Sequence, residues 1–156
     1  LTGRAGGAAV AGCCANRVGF AFLSSRENRW GGLISRGLGP PMLQMGNIVR
    51  TPRIWLPAIF TSAITGPLAT CVFQFQMNDP SGGVASGMGT CGMVGPIGVY
   101  AGWVNDVATG AQAAITAMDW VAMALLCFIL PAMLTWLFGL FFRRIGWIRE
   151  GDLTLE

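Results

Sequence analysis

Among 156 residues there is no histidine, and the seven carboxylates are spread along the chain rather than clustered. No histidine is available as a base, and neither a phosphate-cradling Gly-x-x-x-x-Gly-Lys nor a Gly-x-Ser-x-Gly nucleophile turn occurs. Cys13, Cys14, Cys71, Cys91 and Cys127 form no Cys-x-x-Cys pair, which leaves no zinc site, and most sit in apolar or small-residue runs as packing groups. No catalytic residue, metal ligand or cofactor is assigned. The remaining chemistry is hydrogen bonding by uncharged groups: the amides of Gln44, Asn47, Gln74 and Asn78 and the hydroxyls of Thr65, Thr70 and Thr90. Such groups donate and accept in several directions, as recognition of a small hydroxylated solute inside an apolar cavity requires. Gly66 and Gly89, like Gly87 and Gly95, would let backbone approach the solute.

The elements that must carry these groups are apolar. Hydrophobic residues make up 53% of the chain and charged residues 11%, against about 25% charged in ordinary soluble domains. Residues 120–142 hold no ionisable group and end at Arg143-Arg144, which predicts a membrane-crossing helix kinked at Pro131, with Trp120 and Trp147 near the two interfaces. Residues 54–77 form a second uncharged span, interrupted by Pro57 and by Gly66-Pro67. Its Thr and Gln side chains are expected to face protein or a water-filled path, though hydroxyls also join helices directly. Residues 5–24 read as a third span with Asn16 and Arg17 near its middle, where an Arg must pair inside the bundle, line an aqueous path, or mark a segment that does not simply cross.

Residues 80–105 carry too much glycine for a regular long helix and are too apolar for an exposed loop, so a re-entrant or broken helix is expected. All ten basic residues are Arg, and most flank the spans: Arg26, Arg29 and Arg36, then Arg50 and Arg53, then Arg143, Arg144 and Arg149. Asp79, Asp106 and Asp119 fall at the opposite ends. With the Arg-rich ends cytoplasmic, the three spans close in parity only if the Gly-rich excursion makes no net crossing. The Arg positions give no stripe for nucleic acid, and none is expected as a partner. The expected fold is an all-α membrane protein of about three transmembrane helices plus that Gly-rich re-entrant or broken segment.

Family-like sequence is concentrated in Met45–Pro57 (MGNIVRTPRIWLP), Ala63–Thr70 (AITGPLAT), Ser86–Gly98 (SGMGTCGMVGPIG) and Ile145–Leu153 (IGWIREGDL). In order and over nearly the whole chain, these resemble the IIC-type membrane subunit of the bacterial sugar phosphotransferase system, in its compact branch. The alignment with only the later half of such proteins, and a start without Met, give the expectation that 1–156 is a C-terminal half. The resemblance implies a multi-pass permease in the bacterial cytoplasmic membrane that moves a sugar or similar polar solute. It also implies the lipid bilayer, a IIB phosphocarrier and further copies of the chain as partners. A non-transporting scaffold or sensor of the same fold is the alternative.

Overall fold

A computed structural model describes residues 3–39, 45–78, 84–111 and 114–150. Its helices are α1 (Gly3–Gly37), α2 (Met45–Arg50), α3 (Leu56–Cys71), α4 (Val94–Ala108), α5 (Ala117–Ala124) and α6 (Leu130–Arg144), with no strand among the described residues. A 3-10 turn, Pro52–Trp55, leads directly into α3, and a π-turn, Leu125–Ile129, joins α5 to α6. Three helical runs are thus long and apolar enough to cross a membrane: Gly3–Gly37, Pro52–Cys71 and Ala117–Arg144. The fold is the expected all-α membrane type.

Small residues set how these rods pack, because helices in lipid associate through close contact rather than through release of water. Helices α1 and α6 run parallel, in register at steps of four: Gly19 lies against Thr135, Leu23 fits over Gly139, and Glu27 accepts a 3.1 Å bond from Arg143 Nη2. A Cβ on Gly139 would collide with the Leu23 side chain, so glycine is what permits the approach. Helix α3 runs antiparallel to both. Ser62 Oγ donates to Gly12 O at 3.0 Å on α1, and Thr135 Oγ1 donates to Thr61 Oγ1 at 3.0 Å between α6 and α3. Nearer the other end of α3, Ile54 and Ala58 are buried with Phe20, Leu23 and Phe142.

Those directions bring the Arg-rich termini to one end of the bundle. There Arg143 pairs with Glu27, and the Arg53 guanidinium lies 6.0 Å from the Trp147 ring centroid. At the opposite end Gly3 and Met77 exchange backbone hydrogen bonds of 2.8 and 3.1 Å, and the Thr116 N–H donates to Asp119 Oδ2 at 2.9 Å at the start of α5. Asp106, near the end of α4, also lies there, accepting from Asn78 Nδ2 at 2.9 Å.

Prolines and glycines account for the irregularities. Pro131 has no N–H to offer the Cys127 carbonyl, and the helix widens just before it: the Leu130 N–H reaches back five residues to Leu125 O, after which α6 continues. Helix α3 tolerates Pro67 but ends at Cys71, short of the expected 77. Gln74 takes a left-handed φ of 48°, and the chain then runs beneath the start of α1. Leaving the helix axis places Phe75 and Met77 in the core with Val10, Cys14, Val99, Trp103 and Leu126. Gly7 has no side chain to obstruct the Phe75 carbonyl, and Phe75 meets Trp103 edge-on at 6.2 Å.

Helix α1 is not one rod. Arg29 has φ 49° and ψ −142°, values outside the helical region, and the chain reverses there. Residues 30–37 fold back along the arm they came from: a Cβ on Gly32 would sit 2.9 Å from Ser24 Oγ, and one on Gly37 would lie 3.7 Å from Ala21 Cβ. The Arg-flanked stretch after the first span therefore holds a short returning helical arm, and Arg36 is buried on it.

Candidate functional site

The returning arm ends in the middle of α1. Arg17 lies roughly 21 Å along the helix from Gly3 and roughly 18 Å before Arg29, at about 1.5 Å per residue. Its Nη1 donates to Gly39 O at 3.2 Å. A helix C-terminus leaves carbonyls without helical partners and carries the negative end of the helix dipole, so the arm offers acceptors to a guanidinium at that depth. Without such acceptors, a lone Arg in the hydrocarbon region would cost several kcal/mol.

The Gly-rich segment arrives at the same level. It is two short 3-10 turns, Val84–Gly87 and Cys91–Met93, followed by α4. Gly89, with φ 55°, turns the chain against α1, where a Cβ would stand 2.8 Å from Cys13 C and 2.9 Å from Cys14 N. The Gly95 N–H donates back to Gly89 O at 2.8 Å, which closes the turn ahead of α4. The Gly92 N–H then donates to Leu38 O at 3.0 Å. The C-terminal end of the returning arm and the segment entering the N-terminus of α4 thus meet beside Arg17. Thr90 is buried at this junction, and its Oγ1 has no hydrogen-bond partner among the described residues.

The face of α1 at this level is polar and partly open. Cys13, Asn16 and Arg17 are spaced to share one side of a helix, and all three are half-buried. This arrangement can hydrogen-bond a polar molecule from several directions: a guanidinium, an amide, a hydroxyl and the carbonyls at the C-terminal end of the returning arm.

The residues singled out from sequence do not form one cluster. Gly89 and Thr90 are at the junction. Asn78 lies toward the far end of α4, bonded to Asp106, with its backbone against Gly102. Thr65 is buried on α3, but its Oγ1 donates to Thr61 O at 2.8 Å, one turn back on its own helix. Gly66 is half-buried with open space where a Cβ would stand, and Thr70 Oγ1 donates to Pro67 O at 3.1 Å. Gln74 is exposed in the turn after α3, and half-buried Asn47 lies on α2, where its carbonyl accepts from Thr51 Oγ1 at 3.0 Å. Gln44 lies outside the described residues, as does Asp79. The sequence places Asn16 and Arg17 near mid-span and leaves open whether Arg17 pairs inside the bundle, lines an aqueous path or marks a segment that does not simply cross, and neither is among the candidate site residues. The signal available was their helical spacing with Cys13 on a span whose other faces are small and apolar.

Residues 1–155 match the family described as Phosphotransferase system, EIIC. The chain belongs to that family. No curated protein and no solved structure matches it. Membership makes it an integral membrane protein of the permease component type, consistent with three membrane-length helices and with Ile97, Val121, Met133, Leu137 and Phe141 exposed on the helix surfaces.

Proposed function

We propose that this EIIC chain conducts a sugar or a similarly hydroxylated small solute, and that the solute passes the junction of the returning arm, the Gly-rich segment and the Arg17 face of α1. The observation that carries this reading is the meeting of two interrupted helices beside a polar face at the mid-depth of a membrane-length helix. Irregular backbone at membrane depth is tolerated where it is buried in protein or lines an aqueous cavity, and broken helices near the midplane are a recurring way to build transport sites. Arg17, Asn16 and Thr90 are the contacts we assign first, with Gly89 holding Thr90 against α1. The earlier candidates Thr65, Gly66 and Thr70 are assigned to the α3 wall of the path. Asn78 and Gln74 belong to its outer end, and Asn47 to the Arg-rich end.

With the Arg-rich end in the cytoplasm, α1 runs inward, α3 outward and α5–α6 inward, while the Gly-rich segment enters and leaves on the outer side. This orientation suits a bacterial cytoplasmic membrane, with a IIB phosphocarrier approaching the Arg-rich end and further copies of the chain beside it. The scaffold or sensor reading draws on a specific observation: the hydroxyls of Thr61, Thr65 and Thr135 all bond protein acceptors.

Uptake of radiolabelled sugars by proteoliposomes holding the full-length protein separates the two readings. Loss of uptake in Arg17→Gln and in Thr90→Val is the expected pattern. Unchanged uptake in both junction variants would remove the junction from the path.

A further inference from the structure

Away from that junction, on the lipid-facing side of the α1–α6 seam, the parallel packing leaves a furrow. Phe22 and Leu23 of α1 line it with Trp136 and Leu140 of α6, and Arg26 and Arg143 close one end. Its floor is the close crossing of Leu23 over Gly139. The register explains the layout: Arg26 lies one turn beyond Phe22, Arg143 one turn beyond Gly139, and both turns point toward the Arg-rich end. Phe22 and Trp136 remain 39% and 52% exposed, so the furrow opens outward.

Its charge is unbalanced. Arg143 shares Glu27 through Nη2, whereas exposed Arg26 has no hydrogen-bond or ion-pair partner among the described residues. An apolar groove one helical turn long, ending in two guanidinium groups near a membrane interface, complements one class of molecule: an acyl chain carrying an anionic phosphate headgroup. We propose that the furrow is a binding site for an anionic phospholipid of the Arg-side leaflet, the phosphate held by Arg26 and Arg143 and one acyl chain lying against Phe22, Trp136 and Leu140. A zwitterionic lipid would fit the groove equally well but would bring an ammonium group close to two Arg side chains. The assignment depends on membrane residence alone and is independent of where the solute passes.

Native mass spectrometry of the purified, delipidated protein titrated with phosphatidylglycerol or phosphatidylcholine tests the site. The expected result is preferential retention of one phosphatidylglycerol per chain. Arg26→Gln should weaken it about fivefold, the effect of one basic group near an anionic headgroup. Arg144→Gln, an exposed Arg at the same end but outside the furrow, should change it less than about twofold, since its charge is screened from the site. Equal retention of the two lipids, or equal effects of the two substitutions, would overturn the site. If inorganic phosphate displaces phosphatidylglycerol at similar concentration, the acyl chain contributes nothing and the lipid assignment falls.

Discussion

Gly89→Ala should loosen the junction without touching any polar group in it. The new methyl would stand 2.8 Å from Cys13 C and 2.9 Å from Cys14 N, both backbone atoms of α1, so no side chain can swing aside. Ordinary contact begins near 3.4 Å, so relief requires about half an ångström of movement by the tip or by α1. Placing an L-residue at φ 55° adds about 1–2 kcal/mol of local strain, and overpacking against a fixed neighbour adds about 1–3 kcal/mol. Because part of the strain is relieved as the tip lifts, a total of about 2–4 kcal/mol is expected. For a chain of this size that is a fall of roughly 5–15 °C in Tm, measured by thermal unfolding in mild detergent. Gly87→Ala is the matched control, since a Cβ there meets nothing within 4 Å. Equal Tm values for the two variants would refute the seating of the Gly-rich tip on α1.

Thr135→Val removes the donor to the buried Thr61 hydroxyl and should cost about 0.5–1.5 kcal/mol; an unfolding free energy equal to wild type would show that the bond contributes nothing to the α3–α6 contact. Glu27→Gln takes the charge from the half-buried partner of Arg143 and should cost about 1–3 kcal/mol. That loss should be larger in Glu27→Gln alone than on top of Arg143→Gln, and a double-mutant cycle checks it.

The sequence makes the crossing helices legible because each signal is local: an apolar run of membrane length, uncharged in residues 54–77 and 120–142 and broken by one Arg in residues 5–24, with Arg clustered at one end. It marks residues 80–105 as irregular for a similarly local reason, the density of glycine. Where the chain doubles back is not local. Nothing around Arg29 distinguishes a sharp reversal from a helix that simply ends, and the returning arm is visible only through its contacts with Ala21, Ser24 and Arg17. The same holds for Phe75 and Met77, expected inside a helix and instead drawn out of it to pack beneath Gly3 and Gly7. Among the candidate site residues, the threonines stand out in sequence as polar groups in apolar surroundings. For Thr65 and Thr70 those groups bond carbonyls of their own helix. Gly89 and Thr90 lie at the junction because the Gly-rich segment must touch α1 where its backbone can approach.

The most direct test uses Cys13, which is half-buried on the Arg17 face at mid-depth. With Cys14, Cys71, Cys91 and Cys127 replaced by Ala in the full-length protein, its reaction with a membrane-impermeant thiosulfonate is followed in proteoliposomes, with and without sugar. A solute path along this face predicts that Cys13 is labelled from water and that the transported sugar slows the labelling. Labelling only by a lipid-soluble maleimide, or a rate that no sugar alters, would contradict it.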